Sequence, residues 1–370
     1  MGQFKIGMIV SGFPRRSETF ALQELLALEK QGLLARVFAT KAGDGAPPHP
    51  DCQPLLERVE HLPPGSPAEQ ARVVIKRLKD DDIFGIHGYF AHIPAEVASL
   101  AARALGVPYG FSTHALDARK VSAAVLKERV QNAACIIACN HDVARDLSLF
   151  GGEVTLMPHG VDIGRFHPAP LPAGKPIRLL SVGRLVEKKG FNVLIQALRR
   201  VSSPFHLKII GEGVERERLT REIQDANLSD CVTLCGGMTH AGLPAEYEKA
   251  HIVVVPSIVD HNGDRDGLPN VVLEAMASGR PVIACDVGAI SSAVVHRETG
   301  LLLPPGDPGA LSDALELLSK NPALCRRLGR NARKRIERDF ELDHCTARLS
   351  RFLISAYSGW HSNLNHAMIC

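Results

Sequence analysis

A chain of 370 residues, 45% hydrophobic and 22% charged, has the composition of an ordinary globular protein and the length of two domains. Its formal net charge of +3 and 5% aromatic content give nucleic acid neither a basic footprint nor stacking platforms. No apolar run reaches the ~18 residues that a membrane-crossing helix requires. Residues 4–10 read as a first strand rather than a leader, because Lys5 and Gly7 interrupt the apolar run and no small-residue cleavage site follows. Ser17 reads as the cap of a helix through residue 30, which Gly32 ends. A strand at 37–40, an amphipathic helix at 68–79, a strand at 83–87 and a helix at 94–105 come next. Strands at 107–112, 134–138 and 154–157 complete the first half. This β-α-β alternation implies a parallel sheet covered on both faces.

The Pro-rich stretch 169–176 lacks apolar periodicity and reads as a linker between a first domain, 1–168, and a second, 177–345. The second series runs strand 177–182, helix 191–200, strand 206–210, helix 215–226, strand 232–234, helix 243–250 and strand 252–255. Two Rossmann-like domains would then face each other across a cleft, with ligands beyond the strand C-termini. After residue 339 a helical pattern continues to about 357, and the tail from Trp360 reads as loosely ordered.

Residues 266–277, Asp-Gly-Leu-Pro-Asn-Val-Val-Leu-Glu-Ala-Met-Ala, are the most informative of the chain. They place Asp266 in a loop and Glu274 in the helix that follows, with Pro269 suited to the first helical turn. Gly279 and Pro281 stop the helix, and 281–285 resumes as a buried strand. Unpaired N–H groups and the positive dipole end at the helix start favour an anion, whereas the carboxylates suit sugar hydroxyls. Phosphate on one side and hydroxyls on the other describe a nucleotide-sugar pocket.

This segment resembles the Glu-x7-Glu signature of the retaining nucleotide-sugar glycosyltransferases of family 4, also called group 1, with Asp266 in place of the first Glu. Four other stretches are similar to that family's motifs, in the family's order between about residues 5 and 340. Ser181-Val182-Gly183-Arg184-Leu185-Val186-Glu187-Lys188-Lys189-Gly190 resembles its phosphate-binding loop, and Met157-Pro158-His159-Gly160-Val161-Asp162 its interdomain turn. Phe111-Ser112-Thr113-His114 resembles its N-terminal His motif, and residues 12–20 the loop after its first strand.

The resemblance implies the two-Rossmann-domain (GT-B) architecture, an acceptor-side first domain, a donor-binding second domain, and residues 346–370 returning to the first. It implies that Arg184 and Lys189 neutralise the diphosphate leaving group, a task for a guanidinium fork and an ammonium point charge in place of a metal. The Lys immediately before Gly190 is the family's functional one, so Lys188 is not assigned that role. Glu274 would hold the ribose hydroxyls and Asp266 those of the transferred sugar. Asp is one methylene shorter than the family's Glu, which bears on reach and sugar preference. Gly267, Leu268 and Asn270 would complete the donor site, and His114 would reach a sugar hydroxyl near the reacting carbon. Gly12 would admit a phosphate to the backbone between strand and helix. Arg15, Arg16, Glu18 and His87 are candidates for the acceptor side, and Gly211-Glu212-Gly213 for the flank of the base.

Three other chemistries lack their residues. There is no Gly-x4-Gly-Lys-Ser/Thr for an ATPase P-loop and no Gly-x-Gly-x-x-Gly for a dinucleotide. Residues 262–267 open like an EF-hand loop, but position twelve is Leu273 and the bidentate Glu is missing. The nine cysteines read as free thiols of a reducing cytosol, and the pairs Cys135/Cys139 and Cys231/Cys235 lack a His partner in zinc spacing. Basic helix faces at 326–338 and at Arg72, Lys76, Arg77 and Lys79 suit either solvent or anionic lipid headgroups.

The expectation is therefore a cytoplasmic, metal- and cofactor-independent retaining glycosyltransferase, whose basic helix faces leave open either a solvated surface or peripheral contact with the inner membrane face. It would carry a hexose-type sugar from a nucleoside-diphosphate sugar to a sugar or lipid-linked acceptor, in bacterial-type polysaccharide, lipopolysaccharide or glycolipid assembly. A nucleotide-sugar 2-epimerase of similar architecture and a non-catalytic nucleotide-sugar-binding protein are the alternatives.

Overall fold

The computed structural model describes residues 4–15, 18–45, 52–114 and 121–367, with side chains to His361. The first unit opens with β1 (Ile6–Phe13), α1 (Thr19–Lys30), β2 (Leu34–Ala42), α2 (Gln53–Leu56), β3 (Val59–His61), α3 (Pro67–Leu78) and β4 (Gly85–Gly88). It continues through α4 (Ile93–Leu105), β5 (Tyr109–Thr113), α5 (Ala123–Asn132), β6 (Cys135–Ala138), α6 (His141–Ser148) and β7 (Val154–Leu156). Its seven strands are parallel in the order β3-β2-β1-β4-β5-β6-β7. β1 and β4 are buried along their whole length, as strands covered on both faces must be. Ser66 and Glu69 start α3 as a reciprocal capping box.

The second unit runs β8 (Ile177–Val182), α7 (Phe191–Leu198), β9 (Phe205–Ile210), α8 (Arg216–Asp225), β10 (Val232–Leu234), α9 (Leu243–Lys249) and β11 (Ile252–Val255). Then come α10 (Asn270–Ala277), β12 (Val282–Cys285), β13 (Leu301–Leu303), α11 (Pro308–Lys320) and α12 (Pro322–Asp339). Its six strands are also parallel, in the order β10-β9-β8-β11-β12-β13. Both units are thus doubly wound, Rossmann-like sheets, each with its own apolar core. The last helix, α13 (Leu342–Ala367), belongs to the first unit, where it lies against α1 and β6.

Several sequence expectations shift. The compact units divide at Gly160/Val161 and Glu341/Leu342, so the Pro-rich stretch goes with the second unit. The reason is Arg280, fully buried, whose guanidinium donates to the carbonyls of Ala169, Pro170 and Ala250. The tail expected to be loose from Trp360 is helical to Ala367, and His361 Nε2 meets the Phe84 carbonyl at 3.0 Å. Pro269 takes the N-cap position of α10, one residue before the first turn. Ser17 lies outside the described residues, and Glu18 holds the N-cap of α1. Helices α5 and α6 went unread.

Candidate active site

In the second unit the chain moves from β8 outward to β9 on one side and to β11 on the other. The loops after β8 and β11 therefore flank a topological switch point, where open α/β sheets bind ligands. Arg184 and Lys189 come from the first loop, Ser257 and Asp266 from the second. Two glycines in left-handed backbone allow the fit. At Gly190 (φ +64) an added Cβ would strike the Pro256 carbonyl, and at Gly288 (φ +57) the Asp266 carbonyl. Ile258 N–H donates to the Lys188 carbonyl at 2.9 Å and ties the two loops together.

Lys189 lays its side chain over Gly183 and places Nζ 2.8 Å from Asp266 Oδ2, which also accepts from Ser257 Oγ at 2.8 Å. Asp266 is 8% exposed. Burial pushes its carboxyl up, but Lys189, Lys188 and Ser257 together outweigh that and hold it below the ordinary carboxylate range. Lys188 turns to Asp264 at 3.0 Å and reaches Asp266 at 3.8 Å. The two acidic residues of the EF-hand-like stretch thus each face an ammonium. Arg184 is exposed, and its guanidinium has no ion-pair or hydrogen-bond partner among the described residues.

Glu274, in α10, is 3% exposed and far from a solvated helix residue. Tyr247 Oη donates to its Oε2 at 2.9 Å, and His240 Nε2 lies 3.0 Å from Oε1. Arg165 can only donate, and its Nη1 is 3.0 Å from His240 Nδ1. Nε2 therefore carries the His240 proton and donates it to Glu274. Phe166 packs edge-on against both His240 and Tyr247. His240, Tyr247 and Ser257 were not foreseen, since nothing in their local sequence points to a carboxylate met only in the fold. Gly267, Leu268 and Asn270 lead into and begin α10 beside Asp266. Gly211 of the Gly-Glu-Gly turn packs on the Gly183 carbonyl, under the Arg184 loop.

In the first unit His114 follows β5 and is 9% exposed. The rings of Phe20, Tyr89 and Phe90 surround it at centroid distances of 5.0, 5.1 and 4.9 Å, and His159 stacks on it at 4.9 Å and 12°. Burial, with His159 beside it, pushes the His114 imidazole well below its ordinary value, so it is neutral.

Other expected residues fall differently. His87 is a core residue, 1% exposed, with Nδ1 3.0 Å from Tyr357 Oη and Nε2 2.8 Å from Ser112 Oγ. Its assignment to the acceptor side is corrected, because α13 covers it and both nitrogens are engaged. Gly12 lies inside β1, and a Cβ there would come 2.6 Å from the Ala42 carbonyl. The close approach it permits within the fold is to β2. Arg15 pairs with Glu18 at the mouth of a recess floored by Val10, Leu22 and Leu25. Arg16 lies outside the described residues. The cysteines at 135, 139, 231 and 235 are free thiols.

Burial takes the His87 imidazole down to about 3. The unfolded chain then binds a proton that the folded chain does not, so stability is lost as pH falls from about 6.5 towards 3. Thermal melts between pH 6.5 and 4 should show a falling melting temperature, with a shallower slope in His87→Gln. Equal slopes would remove His87 from the acid response.

Two family models match in succession: "Glycosyltransferase Family 4" over residues 17–165 and "Glycosyl transferases group 1" over 162–335. The amylovoran biosynthesis glycosyltransferase AmsK of Erwinia amylovora is 36% identical over 169 residues, 45% of this chain and 42% of its own. The putative colanic acid biosynthesis glycosyltransferase WcaL of Escherichia coli K12 is 33% identical over 186 residues, 49% of this chain and 46% of its own. The chain thus spans less than half the length of either relative. Among solved structures, the sucrose-phosphate synthase of Thermosynechococcus elongatus superposes with a TM-score of 0.79 at 25% identity, covering 96% of this chain and 100% of that one. Anabaena HepE, solved with UDP, gives 0.81 at 19% identity over 95% and 100%, a likeness of fold.

Proposed function

The chain belongs to the glycosyltransferases of group 1, family 4, and from that premise we propose that it is a retaining hexosyltransferase using a nucleoside-diphosphate sugar. The observation that carries the reading is the loop-helix at the switch point, with Lys189 on Asp266 and Glu274 buried eight residues on. Arg184 and Lys189 neutralise the diphosphate as it leaves, and the start of α10 at Gly267, Leu268 and Asn270 adds N–H donors. Asp266 holds sugar hydroxyls and Glu274 the ribose, on lone pairs that Tyr247 and His240 leave open. Neutral His114 of the first unit offers a hydrogen bond to the sugar, and Arg15 with Glu18 attends the acceptor.

The bond from the anomeric carbon to the phosphate oxygen breaks, and one to the acceptor oxygen forms on the same face. The departing phosphate oxygen takes the acceptor's proton, so no enzyme nucleophile is assigned. The acceptor is a sugar or lipid-linked sugar of polysaccharide, lipopolysaccharide or glycolipid assembly, which suits a cytoplasmic enzyme peripheral on the inner face. On α12, Arg326, Arg330, Lys334 and Arg338 form an exposed stripe at helical spacing fit for anionic headgroups. Arg333 and Arg335 of the same helix are spent on the carbonyls of Phe166, Ala277 and Ser292. Among the described residues no helix is long and apolar enough to cross a membrane.

Thermal shift over a panel of nucleotide sugars, then turnover with and without acceptor, tests this. Acceptor-dependent transfer supports it, acceptor-independent release of free sugar favours an epimerase, and binding without turnover a non-catalytic protein. Turnover should persist in EDTA, since Arg184 and Lys189 supply the positive charge; full loss restored by manganese would contradict that. Glu274→Ala should weaken nucleoside diphosphate binding about tenfold or more, the worth of a charged hydrogen bond, in titration calorimetry on the folded variant. Unchanged affinity would take the ribose from Glu274.

A further inference from the structure

The first unit holds a second histidine behind His114 that the proposed reaction does not use. His159 Nδ1 is 2.6 Å from Glu24 Oε1, and Tyr89 Oη donates to the other oxygen of that carboxylate. Glu24, 8% exposed on α1, is thus held by two residues from distant parts of the chain. The pair is enclosed: Phe20 lies tilted against His159 with ring centroids 4.4 Å apart, and both histidines line one recess with Cys139, Met157 and Leu349. A carboxylate so buried is tolerable when its partner is charged and its remaining lone pairs are used.

We infer that Glu24 and His159 are positioning residues for His114, a buried ion pair that fixes the plane of its imidazole and keeps a second proton off it. The inference rests on the proposed role of His114. The parallel stack at 4.9 Å sets a cation against one face of the ring, and Phe20, Tyr89 and Phe90 lie tilted around it. A cation that near makes protonating His114 costly, and a stacked plane leaves the ring little freedom to turn. Burial alone would lower His159, but Glu24 and the neighbouring Cys139 outweigh it and raise it to about 10. The same His159 acts on His114 in the opposite direction. Among the described residues, the titratable groups around the two rings are Glu24 of α1, with Glu18 acting on Tyr89 from its cap. Beyond these are His87 of β4, Tyr89 and His92 after it, Cys139 after β6, and Cys345 of α13.

The consequence is a sugar-binding imidazole that keeps its neutral form well into acid. The test is a nitrogen-15 titration of the imidazoles in the whole chain, which needs no substrate and stands whether or not the protein turns over a sugar donor. In the wild type, His159 should carry protons on both nitrogens at pH 7.5, and His114 on one only down to pH 5. In Glu24→Gln, His159 should be neutral at pH 7.5 and His114 should accept its second proton at higher pH than before. His159→Asn, which keeps a hydrogen-bonding group beside Glu24, should move His114 in the same direction. A neutral His159 in the wild type, or a His114 titration unaltered in the folded variants, would overturn the inference. Where the enzyme turns over, the variants should gain an acid limb in kcat that the wild type lacks, with donor KM unchanged. A uniform loss at every pH would reduce the pair to a structural role and overturn the inference equally.

Discussion

Arg184→Ala is expected to lower kcat/KM by ~10²–10³, the cost of removing one donor aimed at charge that develops in the transition state. The side chain is exposed and unpaired among the described residues, so nothing in the resting protein depends on it. Its removal should leave the melting temperature almost unchanged, as surface substitutions generally do. That combination, a large kinetic loss without a stability loss, separates a leaving-group contact from a scaffold residue. On the proposed reading the loss should fall mainly on kcat, because Glu274 would still hold the nucleotide. Steady-state kinetics beside a thermal melt would decide it, and near-wild-type turnover would remove Arg184 from the site.

The places of Arg184, Lys189, Asp266 and Glu274 in the second unit were legible because the loop and loop-helix motifs each occupy one continuous stretch, and each follows a strand whose hydrophobic run marks its end. Strands β8, β10 and β11 have the bounds that their apolar runs suggested. What could not be read was which side chains meet. Lys189 and Asp266 are 77 residues apart, Tyr247 and Glu274 27, Glu24 and His159 135. Such pairs are made by sheet order, and sequence periodicity carries no record of it. His87 shows the same limit from the other side. At a strand end it reads as a candidate for the acceptor side, yet a helix more than 250 residues later supplies Tyr357 and closes over it. Helices α5 and α6 did carry a signal, Ser122 and Asn140 at their N-caps, each accepting from an N–H of the first turn.

Lys189 differs from Arg184 in being committed before any donor arrives, and the difference yields the second large effect. Lys189→Met leaves Asp266 buried without its closest cation. Breaking a buried pair on one side costs about 3–5 kcal/mol. Ser257 at 2.8 Å and Lys188 at 3.8 Å remain, so the loss should fall towards the lower end of that range. Asp266→Asn strands the ammonium instead, but Lys189 is 15% exposed and can turn towards water, so it should cost less. The double variant should be more stable than the sum of the two losses predicts, because residues in one ion pair are coupled. The pH dependence has a definite sign. The folded Asp266 carboxyl lies below its unfolded value, so the pair's contribution is present above about pH 3.8 and is lost as pH falls through the folded value. Both single variants should lose turnover by ~10²-fold or more, since on the proposed reading each removes a charge set against the donor's sugar or diphosphate. Denaturant unfolding of the four proteins of the cycle at pH 7 and pH 3 gives the coupling directly. Strict additivity at pH 7 would mean that Lys189 and Asp266 do not hold each other, and Lys189 would then be as uncommitted to the resting fold as Arg184.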